Sequence, residues 1–173
     1  MKKHKAATSK KESDQIIANV LRRLSLIDAK PEPGFNRFTR LACHVSQVPM
    51  AMVTFVEEVA DRQHFKASIG LPDGLTQTPL DRSFCKIVTR TGEMLAITDA
   101  RSDDRVKDNP VIEEMGLAAY LGAPIMGPDG EHLGSLCAMD RVTRDWTDNE
   151  KRAMSDLADC LADHIALRQT RLH

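Results

Sequence analysis

Apolar residues recur every three or four positions at both ends of this chain, and every second position or in unbroken runs between them. From Ser13, the series Ile17, Val20, Leu21, Leu24 and Ile27 predicts a helix with Arg22 and Arg23 on its other side. That helix is expected to end near Ala29, because Pro31 and Pro33 follow. A second helix over Gly34 to Ser46 collects Phe35, Phe38, Leu41, Ala42 and Val45 on one side, and Val48-Pro49 closes it. Met50 to Glu57 is apolar on both faces, the pattern of a buried strand. Gln63 to Ile69 alternates instead, with Gln63, Phe65, Ala67 and Ile69 on one face and His64, Lys66 and Ser68 on the other. Gly70-Leu71-Pro72-Asp73-Gly74 then turns the chain.

The middle third is less regular. Thr76 to Asp81 reads as polar loop, and Asp81 or Ser83 can cap a short helix that runs to about Arg90 and stops at Gly92. A brief strand over Met94 to Thr98 leads into a highly charged loop, Asp99 to Asn109, and a short helix begins at Pro110 and ends at Met115. Two apolar runs, Ala119 to Met126 and His132 to Met139, flank Gly127-Pro128-Asp129-Gly130. Proline presets the second turn position and Asp-Gly accepts positive φ, so this is a hairpin. Both faces of each run are apolar, which places the hairpin inside the sheet. Its interior glycines, Gly122 and Gly134, imply that something comes close to the backbone, a neighbouring helix or a small ligand.

Thr147 and Glu150 make a capping box for a last helix reaching about Thr170. Its narrow stripe is Met154, Leu157, Ala158, Leu161, Ile165 and Arg168. Two end helices of this kind either lie side by side and pair with a second subunit, or cover their own sheet. Strands paired as hairpins with segregated helices make the fold α+β.

Composition narrows the function. The 173 residues fit one domain, here divided as a disordered basic tail over 1–12, a helix over 13–30 and a main domain over 31–173. A net charge of −1 gives no electrostatic case for nucleic acid or anionic membrane. Lys2, Lys3, Lys5, Lys10 and Lys11 concentrate positive charge at the start, but no apolar run behind them makes a secretory signal, and none elsewhere is long enough to span a bilayer. Cys43, Cys85, Cys137 and Cys160 are far apart, in apolar surroundings and without a C-x-x-C pair, as expected of reduced thiols in the cytoplasm.

An ordered series of short pieces resembles the GAF domain, a small-molecule-sensing module related to PAS domains. The pieces are Phe65-Lys66, Gly70-Leu71, Ser83-Phe84-Cys85, Ile97-Thr98-Asp99-Ala100, Asp108-Asn109-Pro110, Tyr120 to Ile125, Leu133 to Cys137 and Asp140. They span about Gly34 to Ala166 and look most like the subgroup found ahead of bacterial histidine kinases and diguanylate cyclases. The resemblance implies a central antiparallel sheet of five to six strands, with the terminal helices on one face. The segment from Thr76 to Gly116 would cover the other face, where such domains hold ligands.

On that resemblance the candidate ligand-binding residues are Ser83, Phe84, Cys85, Asp99, Arg101, Tyr120, Gly122 and Cys137. Cys85, in the first turn of a helix, gains a lowered thiol pKa from the helix dipole, or is simply a small core residue. Cys137 reads as inert core, and only two thiols lining one cavity would make a redox sensor. Arg101 or Arg105 could hold an anionic group at the pocket mouth, or belong to a surface ion-pair cluster. The bilin-attachment cysteine has no counterpart, because Glu113 to Leu117 lacks a thiol and Cys43-His44 falls in a helix. His64 is the one candidate haem ligand, and as a residue on a polar strand face it is expected to be exposed. No spacing points to a metal site, so the cofactor stays unknown.

The function expected is a sensory or regulatory module without catalysis, signalling through its terminal helices, with a homodimer as partner state. A separate output protein receives the signal, or the chain is a fragment of a larger receptor. Two alternatives stand beside it: a thiol-dependent enzyme or sensor resembling the free methionine sulfoxide reductases, and a dimerisation scaffold with no ligand.

Overall fold

The computed structural model describes the backbone of residues 2–171 and the side chains of residues 9–171. Five helices, α1 (Lys2–Arg23), α2 (Pro33–Ser46), α3 (Cys85–Thr91), α4 (Val111–Met115) and α5 (Asp148–Arg171), surround one sheet. Its strands are β1 (Met50–Glu57), β2 (Arg62–Ile69), β3 (Gln77–Pro79), β4 (Leu95–Ile97), β5 (Ala119–Met126) and β6 (His132–Asp140). The spatial order is β3-β2-β1-β6-β5-β4, and every pairing is antiparallel. The architecture is the α+β arrangement expected, with the 119–140 hairpin inside the sheet.

Period-two alternation divides the central strands between two cores. Ala51, Val53, Phe55, Leu121, Ala123, Leu136 and Ala138 face the rear, against buried residues of α1, α2 and α5. Met50, Met52, Val56, Tyr120, Cys137 and Met139 face the front, against α3, α4 and the loops between them. Behind the sheet α5 packs on β5 and beside α2, while α1 lies on β1 and the 3₁₀ turn Glu58–Ala60. The main helical neighbour of α5 is therefore α2, not the other terminal helix.

Four local features depart from the pattern-based reading. Helix α1 begins at Lys2 rather than Ser13, so the backbone of the basic segment is helical; it contains neither Pro nor Gly to interrupt it. The same helix ends at Arg23 rather than Ala29, because Ser25 takes a left-handed conformation (φ 56°) and Leu26 N–H returns to the Leu21 carbonyl at 2.9 Å. That turn buries Leu24, Leu26 and Ile27 together.

Strand β2 does not alternate throughout. Its register against β1 slips between Val53 and Thr54, leaving Lys66 as a bulge between Phe65 and Ala67. Phe65 stays at the front, while Ala67 joins the rear core. The Lys66 ammonium reaches the carbonyls of Ser25 and Lys30 at 2.9 and 3.2 Å, and lies 5.4 Å from the centre of the Phe35 ring. Finally, the segment read as polar loop contributes the edge strand β3 and a 3₁₀ turn, Leu80–Arg82. Polar side chains are no obstacle at an edge, where one side of the ladder meets water.

The two end helices are anchored by ion pairs. Arg22, in the last turn of α1, binds the buried carboxylate of Glu57, which also accepts from Arg62 Nε at 2.8 Å and lies 3.3 Å from His64 Nε2. Arg168, near the end of α5, pairs bidentately with Glu32. His64 is thus buried against Glu57 rather than exposed, since β2 turns that face toward the α1 terminus.

Candidate functional site

The front of the sheet carries an apolar cavity of about 40 Å³, room for a few water molecules. Met52, Phe65, Tyr120 and Met139 form its floor; Phe84, Cys85, Val111, Met115 and Leu117 come from the cover. Three polar residues, Gln63, Thr78 and Arg82, reach the same space. Side chains therefore fill most of the front, and three of the filling residues are methionines, whose unbranched chains repack readily.

Ser83 does not line the cavity but pins the cover to the sheet. Its hydroxyl donates to Gln63 Oε1 at 2.6 Å and accepts from Lys86 N–H at 3.1 Å, so it both ties and caps α3. Gln63 in turn donates to Thr78 Oγ1 at 2.7 Å, joining β2 to the edge strand. Phe84 packs edge-on against Tyr120, with ring centroids 5.4 Å apart.

Behind those rings lies a buried cluster of hydroxyls and thiols. Tyr120 Oη donates to Cys85 Sγ at 3.2 Å and lies 3.2 Å from Ser135 Oγ. Cys85 Sγ is 3.6 Å from Thr54 Oγ1 and 4.0 Å from Cys137 Sγ. Hydrogen bonding from Cys137 draws the Cys85 thiol down to about 7 against the opposing effect of burial, with help from Tyr120, Thr54 and Ser135. Burial pushes Cys137 and Tyr120 well up, and a charge on Cys85 raises both further. Gly122 and Cys137 are cross-strand partners in the β5–β6 hairpin, and the Cys137 thiol faces Cys85 on α3.

Gly122 has a different role from either one expected. A Cβ there would come within 2.4 Å of Tyr120 Oη and 2.7 Å of its Cε1, so the Tyr120 ring lies across Gly122. The close approach comes from a side chain two residues away on the same strand. Gly134 is crowded from a third direction, with a Cβ position 1.8 Å from the Thr54 carbonyl oxygen on β1.

Asp99 and Arg101 lie outside the cavity. They pair with each other, Arg101 Nε to Asp99 Oδ1 at 2.9 Å, on an exposed turn after β4. Arg105 is similarly taken up by Asp103 and by the Ala96 carbonyl at 3.1 Å. In both cases the arginine closes locally on an aspartate two residues before it. The cation that does reach the cavity is Arg82. It bonds Glu114 on α4 at 2.9 Å and Asp81 at 2.9 Å, linking two pieces of the cover over the cavity. Gln63, Thr78 and Arg82 carry no sequence signal of their own; only Gln63, on the Phe65 face of β2, could have been placed at the front.

The profile of the GAF domain family matches residues 31–165. This chain belongs to the GAF domain family. GAF domains are sensory and regulatory modules. Over 123 residues it is 34% identical to a cyclic di-GMP phosphodiesterase of Pseudomonas aeruginosa, covering 70% of this chain and 20% of that protein. Over 158 residues it is 26% identical to the diguanylate cyclase DgcP of Escherichia coli, covering 88% of this chain and 45% of that protein. The chain thus spans a fifth to under half of these relatives.

Among solved structures, the GAF domain of a phosphoenolpyruvate-protein phosphotransferase from Coxiella burnetii superposes with a TM-score of 0.67 at 20% identity, covering 91% of this chain and 97% of that one. The free methionine-R-sulfoxide reductase of Neisseria meningitidis does so with 0.65 at 16%, covering 91% and 93%. Both likenesses establish the fold. No helix among the described residues is long and apolar enough to cross a membrane.

Proposed function

We propose that this GAF domain is a non-catalytic input module that takes a small molecule at the front of its sheet and reports it through α1 and α5. The observation that carries the reading is the cavity bounded by Met52, Phe65 and Tyr120 on the sheet and by Phe84, Met115 and Leu117 on the cover. At about 40 Å³ it is far smaller than a metabolite pocket. Occupation therefore requires Met52, Met115 and Met139 to change rotamer and the cover to lift, which makes binding a conformational event.

Two routes lead from that event to the helices. Gln63 is held by the cover through Ser83, and its neighbour Arg62 shares Glu57 with Arg22 of α1. Lys66, on the same strand, contacts Glu32, the partner of Arg168 on α5. A shift of β2 as the cover lifts alters both ion-pair groups. Ile16 on α1 and Leu167 on α5 are 58% and 59% exposed, and a homodimer through these helices would bury them. The cysteines, all free, suit a cytoplasmic protein. By analogy with the two relatives, the output is control of cyclic di-GMP synthesis or breakdown, by a domain in the same polypeptide or by a separate protein.

Native mass spectrometry of the full protein from its own cell tests the reading. The expected result is a retained small molecule in wild type and its loss in Leu117→Phe, which fills the cavity. Cavity filling that leaves ligand retention unchanged, or a wild-type protein that carries no ligand and has an output indifferent to Leu117→Phe, would overturn it.

A further inference from the structure

Cys85 and Cys137 stand apart from the other two cysteines. Their sulfurs are 4.0 Å apart, both are fully buried, and they come from α3 in the cover and β6 in the sheet. A disulfide needs the sulfurs at about 2.0 Å, an approach of about 2 Å. Cys85 is also one of the residues lining the small front cavity, which brings that cavity up to the residue. Tyr120 Oη, 3.2 Å away, is placed to donate to a thiolate at that position.

We infer that Cys85 and Cys137 form a modification site at which a small hydroperoxide entering the front cavity closes an internal disulfide between cover and sheet. The Cys85 thiolate attacks one oxygen of hydrogen peroxide; the O–O bond breaks, the released hydroxide takes up a proton and leaves as water, and Cys85 becomes a sulfenic acid. Cys137 Sγ then attacks the Cys85 sulfur. The S–O bond breaks, and the departing hydroxide takes the Cys137 proton as a second water. In total two thiols lose two electrons and two protons, and one peroxide becomes two waters. An added dithiol reverses the change by exchange.

The cavity's size gives this chemistry its selectivity. Space for a few waters admits hydrogen peroxide and excludes a bulky aromatic hydroperoxide. The link would fasten α3 to β6, fix Cys85 away from Tyr120 Oη and hold the cover in one position. The inference stands independently of the small-molecule reading above, since it requires only the cavity as it is.

The test is to expose the folded full chain to hydrogen peroxide or to cumene hydroperoxide, alkylate the remaining thiols, and map peptides by mass spectrometry without reduction. The expected product is a Cys85–Cys137 cross-link lighter by two hydrogens, formed with hydrogen peroxide and much more slowly with cumene hydroperoxide. Cys160, exposed on α5, serves as the control thiol that both oxidants reach. Tyr120→Phe should slow the link about tenfold by removing one donor to the thiolate, while Cys160 oxidation is unchanged. In Cys137→Ala, a peroxide pulse followed by unfolding into dimedone should trap Cys85 as a sulfenic acid. Oxidation of Cys43 and Cys160 with Cys85 and Cys137 still reduced would overturn the proposal. A link that forms only in denaturant, or equally fast with both hydroperoxides, would do the same.

Discussion

Ser83 Oγ donates a 2.6 Å hydrogen bond to Gln63 Oε1, and both side chains are buried. This single bond joins the cover to the strand that also carries Arg62 and Lys66, the residues leading to the two terminal helices.

Ser83→Ala removes that bond and the cap on the Lys86 N–H together. The expected cost is about 1–3 kcal/mol, from a lost cap and an acceptor left unsatisfied in the interior. Urea unfolding measures the loss. Hydrogen exchange should show it concentrated in residues 80–91, with little change in β6.

Glu57→Gln leaves Arg22 and Arg62 without their carboxylate. Because both guanidiniums are partly solvated, the expected loss is about 3 kcal/mol, the low end for breaking a buried pair. The distinguishing result is local: amides at the end of α1 should exchange faster than those of α5.

Stability should fall as the solution is acidified, in two stages. Burial depresses His64 and His164, against the pull of Glu57 on His64, so the unfolded chain takes up those protons first. Their contribution is complete above about pH 6.5 and is lost as pH drops through and below that value. Burial alone would raise Glu57, but hydrogen bonds from Arg62 and His64 and the charges of Arg22 and Arg62 hold it below its usual range. The bond from Arg168 does the same for Glu32. These carboxylates contribute above about pH 4.5 and lose that contribution as pH falls toward their depressed values. Thermal melts at successive pH values should show both stages, and the combined His64→Gln and His164→Gln variant should lose the upper one.

Gly122→Ala and Gly134→Ala should differ in severity. At Gly122 the obstruction is the Tyr120 ring, which can tilt, so a loss of about 1–3 kcal/mol is expected together with disturbance of the Tyr120–Cys85 contact. At Gly134 the obstruction is the Thr54 carbonyl of β1. Backbone in a central strand cannot yield as a side chain can, so a loss above about 4 kcal/mol or no folded protein is expected. Circular dichroism melts of the two variants make the comparison.

The elements with strong local signals were legible without coordinates. Strand β1 coincides with the apolar run Met50 to Glu57, Gly92 ends α3 with φ at 68°, and Glu150 N–H bonds Thr147 Oγ1 at 3.1 Å, the N-cap half of the expected capping box. The misread features depend on distant partners. His64 looked exposed because its place on β2 was polar, yet the Glu57 carboxylate lies beside it. Lys66 breaks the alternation through a bulge that only pairing with β1 defines. Asp99 and Arg101 share a mixed polar sequence with the pocket-covering segment, but the turn after edge strand β4 that carries them lies outside the cavity, where they pair with each other.

The chain's periodicity and turn residues, acting over a few neighbours, determined the helices, the hairpins, the α+β class and which face of most strands is apolar. Local order could not decide how full the front of the sheet is, because that depends on where side chains distant in sequence meet. The Tyr120 ring lying over Gly122, the cover closing to about 40 Å³, and Cys85 arriving 4.0 Å from Cys137 are outcomes of packing between strands and cover. Short-range propensities act along the backbone; the volume left in a cavity and the meeting of two thiols depend on tertiary contacts.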